Sequence, residues 1–383
     1  MRDREEIQFQ DQDQMLQFFR EQKESDVWVR VYTNELSTLP LDNMPLFAGQ
    51  IMEELNIDVS EEAVKDCMGD MQMMLKFPSE NKLMIVPIRY TALKTLCDRA
   101  GISGLSITSY DERPYHSVLT PAERAETLSM CLRHFKNRSL VLLRDEKISA
   151  VMSGDERDYS VMPVADLMEI LMESLQERFE NYKFVVGITS HEMTKADFDI
   201  NDDTMAEEFK EKVGETEVAL DVSNVIIRLQ LVTSDVGRFS ATLIPSITMG
   251  NVSVRIGEPL KLRHKGCEVS EFADVCEKIF SMFKDGMKRM EEMASIPIRD
   301  CSKALEDMAK RADLPIKGIK AAQEAMVQEC GVNCTGFELF YYMYWIIDYY
   351  CQYMEEKGQP LTLQQRFDMQ EKAARELRMF DGE

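Results

Sequence analysis

Six lysines and arginines fall within residues 222–266, where only two acids, Asp235 and Glu258, accompany them. Lysine and arginine bind phosphate oxygens in proteins, so this local charge of +4 (six minus two) indicates an anionic ligand. The rest of the 383-residue chain sums to −27, because the whole chain carries −23. The candidate ligand contacts, with one adjoining histidine, are Arg228, Arg238, Arg255, Lys261, Arg263, His264 and Lys265.

The same region alternates apolar and polar residues with a period of two, which is typical of half-buried strands. Ile227, Leu229 and Leu231 fall on one face, with Arg228 and Gln230 on the other. Three more runs follow in the same pattern after turns near 233–237, 250–251 and 257–259. Together they predict a four-stranded antiparallel meander whose polar face carries the cations, a surface suited to a phosphate backbone.

Two short polar segments border this meander. The turn Ser234, Asp235 and Gly237 has residues that bond nearby backbone groups or accept a positive φ, which predicts a hairpin loop. Two interpretations stand, a turn only or a turn that also presents Asp235 at a site. His264 and Lys265 before Gly266 likewise indicate either a strand end or an anion contact beside free backbone amides.

The cationic face also has a purely structural interpretation. Outward positions of a half-solvated sheet often carry lysine and arginine, and acidic helices of the same chain can cover them. In that case the acidic remainder of the surface is the functional feature, and it predicts a module that binds a basic protein or mimics DNA.

Sequence motifs for catalysis are absent. No GxxxxGK[ST], GxGxxG, HExxH or GxSxG pattern occurs, so no catalytic residue, cofactor or metal ligand is assigned. Asp197, Asp199, Asp202 and Asp203 resemble a calcium loop but lack its central glycine, which favours a solvated acidic loop. A hydrolase using Asp197, Asp199 and Asp235 with a divalent ion is the weakest alternative. The nine cysteines contain no CxxC pair, which predicts reduced thiols and a cytoplasmic protein.

Strand and helix patterns elsewhere predict an α+β protein with a central antiparallel meander and a helical C-terminal region. The predicted regions are 1–82, mostly helical; 83–267, an α+β core; and 268–383, helical. The apolar run Gly336–Met354 is interrupted by charged residues, so no membrane segment is expected. Its aromatic residues, from Phe337 to Tyr353, predict either a buried helix or the interface of a homo-oligomer.

The residues of three stretches, Pro87–Gly101, Leu140–Asp166 and Thr233–Gly266, together resemble domain-of-unknown-function family 932, a group of phage- and plasmid-encoded proteins. Pro87–Gly101 is similar to its early segment, and Leu140–Asp166 is similar to its hairpin, with an arginine before the turn. Thr233–Gly266 is similar to its serine–acid–x–glycine turn and histidine–x–glycine ending. The late helix departs from the family pattern at Cys334 to Gly336 and at Tyr341–Trp345. The resemblance implies a mobile-element origin and no established activity.

We therefore expect a non-enzymatic accessory protein of a phage or plasmid that binds single-stranded nucleic acid on its basic sheet face. The alternative expectation is an acidic interaction module whose partner is a host or phage protein.

Overall fold

The chain mixes short helices and strands up to residue 262 and is mainly helical beyond it. The computed structural model describes residues 5–41, 47–69, 71–79, 82–103, 119–179 and 181–380. In those residues the strands are β1 (Ile7–Phe9), β2 (Val27–Tyr32), β3 (Ser37–Pro40), β4 (Met73–Ser79), β5 (Lys82–Pro87), β6 (Arg138–Arg144), β7 (Lys147–Ser153), β8 (Tyr182–Thr189), β9 (Thr194–Ile200), β10 (Ile226–Thr233), β11 (Ala241–Met249), β12 (Val252–Arg255), β13 (Leu260–Leu262), β14 (Pro297–Ile298) and β15 (Cys334–Thr335).

The helices vary from one turn to six turns in length. They are α1 (Gln12–Ser25), α2 (Ala48–Leu55), α3 (Glu61–Gly69), α4 (Tyr90–Arg99), α5 (Pro121–Leu132), α6 (Val164–Arg178), α7 (Asp203–Gly214), α8 (Phe272–Cys276), α9 (Ile279–Ala294), α10 (Cys301–Arg311), α11 (Ile316–Cys330), α12 (Gly336–Glu356) and α13 (Leu363–Arg375). None of these helices combines the length and apolar composition needed to cross a bilayer.

The largest sheet runs in the order β1-β8-β9-β10-β11-β12, and β13 also pairs with β11. Every pairing in it is antiparallel. The α+β prediction is therefore confirmed, with a helical C-terminal part in which the described strands, β14 and β15, are two residues long.

The observed sheet differs from the predicted meander in the connection between the last two strands. β12 and β13 both pair with the same edge of β11, β12 opposite residues 246–249 and β13 opposite residues 241–243. The four strands therefore occupy three neighbouring strand positions in the sheet. Ile256 still donates its N–H to the carbonyl of Pro245, and the edge then breaks at 257–259. Pro259 has no N–H to donate, so the segment interrupts the strand without reversing it.

The apolar face of this sheet lies against the C-terminal helices. Leu229 and Val254 belong to the same core cluster as Phe283 of α9 and Phe340 of α12. The first half of α12 is buried from Phe337 to Ile347, apart from a few half-exposed positions, as expected for a helix inside a bundle.

The opposite face of the sheet is covered in part by α13. Leu363 and Phe367 of α13 form a small cluster with Val232 and Ile244 of the sheet. This helix therefore determines how much of the predicted cationic face reaches solvent.

Two three-stranded sheets accompany the large sheet, in the orders β2-β6-β7 and β3-β4-β5. The β6–β7 hairpin turns at Asp145 and Glu146, both with positive φ, which matches the twist of a tight two-residue loop. The predicted boundary at 82/83 lies at the start of β5, whose partner β4 precedes it. The three predicted regions stay predictions.

Gly286 allows α9 to approach the break between β12 and β13. A Cβ at this position would lie 2.8 Å from the Ile256 Cγ1 atom and 3.1 Å from its carbonyl oxygen. We expect Gly286→Ala to lower the free energy of unfolding by about 1–2 kcal/mol, because overpacking outweighs the gain in helix propensity. Urea unfolding measures this change.

Gly214→Ala is the matched control, because a Cβ there meets nothing within 4 Å. It should leave stability unchanged or raise it by up to about 1 kcal/mol. Equal effects of the two substitutions would contradict the close approach at Gly286.

Candidate functional site

A groove of about 500 Å³ opens between the edge of the large sheet and α13. Arg238 and Lys261 line it from the sheet side, and Lys372 and Arg375 line it from α13. Phe239 also lines the groove, and its ring packs edge-on against Phe367 at 5.4 Å between centroids. Two of the predicted cations therefore meet two cations that lie more than a hundred residues later in the chain.

Three of the predicted arginines are paired with acids of the same chain. Arg228 Nε lies 2.7 Å from Asp199 Oδ1 on β9, and Arg255 pairs with Glu371 of α13. Their side chains are 16% and 11% exposed, so these two arginines are covered as the structural interpretation of the face predicts.

Arg238 is partly exposed and is also paired with an acid. Its Nη2 atom lies 2.7 Å from Glu192 Oε1 in the loop between β8 and β9, and its side chain is 25% exposed. It lines the groove while it is paired. Its charge is therefore partly neutralised at the groove wall.

The cations at the sheet edge are more accessible. Lys261 and Arg263 are exposed, and in the described part of the chain neither lies within ion-pair distance of an acid. Lys265 is also exposed and lies 3.8 Å from Asp158. Exposed pairs of this length contribute little to stability, so Lys265 keeps most of its freedom to bind a ligand.

His264 has a different role from its neighbours. It is 8% exposed, and its Nδ1 and Nε2 atoms each lie 3.0 Å from a backbone oxygen, those of Ser160 and Phe239. Its ring stacks on that of Tyr159 at 5.3 Å. The imidazole thus fixes the fold next to the groove and offers no nitrogen to an anion.

The groove carries a modest positive excess. Its lining contains four cations and two acids, Asp368 and Glu371. Glu371 is paired with Arg255, and Lys372 Nζ lies 2.8 Å from Asp313 Oδ2. Lys261 and Arg375 are the exposed lining cations without a recorded acid partner within the described ranges, and they mark the part of the groove that favours an anion.

Asp235 of the Ser234–Asp235–Gly237 turn belongs to a buried ion-pair cluster. Arg144 Nη2 lies 2.5 Å from Asp235 Oδ2 and 2.5 Å from Asp26 Oδ2. Arg144 Nε donates to Asp26 Oδ1 at 2.7 Å, and Gln22 Nε2 donates to Asp235 Oδ2 at 3.0 Å. If the turn presents Asp235 at a site, as the second interpretation has it, that site is beside the Arg144 cluster.

Backbone contacts hold this turn in place. The Tyr159 hydroxyl donates to the Asp235 carbonyl at 2.6 Å, and the N–H of Arg238 donates to Ser234 Oγ at 3.3 Å. Gly237 has φ +70, and a Cβ there would lie 1.9 Å from the Met152 methyl group. Glycine is favoured here because side chains rarely adopt this positive φ, and an added Cβ would also force the flexible end of Met152 to move.

Burial and charge shift the pKa values in the cluster in a consistent way. Burial raises the pKa of Asp26, with Asp235 adding to the rise and Arg144 opposing it. Burial works against the charged guanidinium, but attraction to Asp235 and the bonds to Asp26 outweigh it, so the pKa of Arg144 is raised. Burial, aided by Asp235, raises the pKa of the Tyr159 hydroxyl.

Asp26, Arg144 and Tyr159 did not emerge as site residues from the sequence. The signal present for Arg144 was its place before a hairpin turn in the family resemblance. Nothing in the spacing of Asp26 or Tyr159 indicated that they meet the 234–237 turn, because the contacts join segments 76 to 213 residues apart.

Each of the three acids proposed for a hydrolase forms an ion pair with a different neighbour. Asp197 pairs with Lys195, Asp199 with Arg228, and Asp235 with Arg144. In the ranges that the structure describes, no group of three histidine, cysteine or acidic side chains is arranged to hold a metal ion. The hydrolase alternative gains no support from this arrangement.

Comparisons with protein-family models, curated proteins and solved structures found no match. The functional argument therefore rests on the residues of this chain.

Removing Arg144 tests the buried cluster. Arg144→Met leaves Asp26 and Asp235 buried together without a cation, so we expect a loss of about 3–5 kcal/mol in the free energy of unfolding at neutral pH. The triple variant Asp26→Asn, Arg144→Met, Asp235→Asn should be more stable than Arg144→Met alone, because no charge is left uncompensated. Chemical denaturation of the variants measures both effects.

The pH dependence has a defined sign. The pKa of Asp26 is raised in the folded state, so the folded chain binds more protons than the unfolded chain between the ordinary and the raised pKa, and stability falls as pH rises through that interval. Arg144 lowers the pKa of Asp26, so in Arg144→Met this pKa rises further and the buried carboxyl stays protonated to a higher pH. The loss of stability in Arg144→Met should therefore be smaller near pH 5 than near pH 7.5. Arg30→Met is the control, since that arginine pairs with Glu156 at the surface, and it should change stability by less than about 1 kcal/mol at either pH.

Proposed function

We propose that this protein binds single-stranded nucleic acid in the groove between the sheet edge and α13. The observation that carries the proposal is the convergence of Lys261 and Arg375 with Arg238 and Lys372 around one open groove of about 500 Å³. The ligand then lies along the edge of the basic face, because Arg228 and Arg255 are covered.

The chemistry of the groove favours a flexible phosphate chain. Lysine and arginine neutralise phosphates, and Phe239 at the wall offers a ring to an unstacked base. Arg263 and Lys265 continue the line of exposed cations beyond Lys261. The negative charge of the whole chain repels nucleic acid elsewhere, so binding is expected to depend on this local region.

The wider context is part of the same proposal. The resemblance to phage and plasmid proteins implies a mobile-element origin, and the role proposed within it is that of a cytoplasmic, non-enzymatic accessory in DNA transactions. Single-stranded DNA arises in such transactions and requires binding proteins without strong sequence preference.

A second candidate function has its own support. Each of three arginines, Arg228, Arg238 and Arg255, is paired with an acid of this chain. Such pairing is expected if these cations only stabilise the fold and a partner binds the acidic surface. Such a protein binds a basic host or phage protein, in the manner of a DNA mimic. Capture of one basic protein that soluble DNA displaces would favour it.

Fluorescence anisotropy with labelled single-stranded oligonucleotides distinguishes the two candidates. The double variant Lys261→Ala, Arg375→Ala should bind about tenfold more weakly at low salt. It should also make the slope of log K against log salt less negative by about 1.4, since each single-strand phosphate contact contributes about 0.7.

Lys284→Ala, Lys288→Ala is the matched control. It removes the same charge from exposed positions on α9, a helix that packs on the apolar face of the sheet. Its affinity should equal that of the native chain. No binding at low salt, or equal losses in the two variants, would contradict the groove as the site.

A further inference from the structure

A second cavity lies beside the Arg144 cluster and shares no lining residue with the groove. It has a volume of about 220 Å³ and is lined at one end by Asp26, Asp235 and Gln22. Trp28, Phe19 and Val161 are among the apolar residues that form its walls. This division into a polar end and apolar walls is common in sites for small molecules.

The polar end carries one negative charge in excess. Asp26 and Asp235 contribute two negative charges and Arg144 one positive charge. Lys23 also lines the cavity, but its Nζ atom lies 2.6 Å from Asp166 Oδ1, which cancels its charge. A ligand that brings one positive charge would therefore balance this end.

The carboxylates have capacity for further hydrogen bonds. An ionised carboxylate accepts at about four positions. Asp26 accepts two recorded bonds, both from Arg144, and Asp235 accepts three, from Arg144 and Gln22. Burial also raises the pKa of Asp26, which is the direction expected where a carboxylate lacks a full positive partner.

The walls define the other half of the ligand. Trp28 is half-buried at the cavity and lies 6.2 Å from the Tyr159 ring. An aromatic face attracts a cation within about 6 Å, and Phe19 and Val161 favour an apolar body. The volume corresponds to roughly seven waters, so the ligand has a similar number of non-hydrogen atoms.

We propose that this cavity binds a small organic cation, an amine on a compact apolar body. The ammonium group donates hydrogen bonds to Asp26 and Asp235, and the apolar body packs against Trp28. The proposal assigns a binding role to the 234–237 turn and is independent of the nucleic acid groove, whose test variants change other residues.

The test uses the full chain with Trp345→Phe, which leaves Trp28 as the sole tryptophan of the two in the sequence. Benzylamine is the probe, with benzyl alcohol and benzoate as neutral and anionic compounds of the same shape. Benzylamine should change Trp28 fluorescence in a saturable way and raise the unfolding temperature. Benzyl alcohol should bind at least about tenfold more weakly, and benzoate should not bind, because the polar end is negative.

Val161→Phe fills the cavity from its apolar wall without altering the ion-pair cluster. It should weaken benzylamine binding at least about tenfold while the protein stays folded. Asp26→Asn should weaken it as well, since the excess charge is removed. Val327→Phe, at an exposed valine on α11, is the control and should leave binding unchanged.

Three results would overturn the proposal. They are no saturable response of the folded protein to benzylamine up to about 10 mM, equal binding of benzyl alcohol, and full binding by Val161→Phe. Equal binding of the alcohol would show an apolar cavity with no preference for cations. Failure of this proposal leaves the groove untouched, and failure of oligonucleotide binding leaves the cavity untouched, so the two results are distinguishable.

Discussion

The buried guanidinium of Arg144 is the interaction on which the junction between the β2-β6-β7 sheet and the large sheet depends. Arg144 is 4% exposed and bonds Asp26 ahead of β2 and Asp235 after β10. A buried charge without its partners is costly, so the β6–β7 hairpin, the start of β2 and the turn after β10 are stable together in one arrangement. The Tyr159 hydroxyl also donates a hydrogen bond to the turn's backbone, and this bond forms only when the turn is in place.

The acidic excess of the chain limits what the cationic sheet face can bind. Arg228 and Arg255 lie on strands whose neighbours and covering helix supply Asp199 and Glu371, so both charges are neutralised inside the fold. β12 and β13 lie on the same edge of the sheet, but α13 covers Arg255 of β12, whereas Lys261 of β13 is exposed. The accessible positive charge is therefore concentrated at the edge, where Lys261 faces α13 across the groove.

The elements could be predicted where the pattern was local. Strict alternation around Leu229 predicts β10. The turn after β10 can also be located from the sequence, because its residue types have specific backbone preferences. Glycine and proline at 257–259 indicate either a reversal or an interruption of a strand, and the pairing of β12 and β13 with one edge of β11 shows an interruption. The partners of the site residues could not be predicted, since α13 and Asp26 reach the meander through contacts that leave no periodic signal.

The two proposed sites share one loop but are expected to act separately. Asp235 enters the cavity, and Arg238 and Phe239 line the groove a few residues later. A ligand at one site changes the other only if the loop has a second arrangement that the ligand favours. Tyr159 and His264 each bond a backbone oxygen of this loop, at 2.6 and 3.0 Å. These contacts favour a single arrangement, so occupation of the cavity should leave the groove's affinity for an anion unchanged.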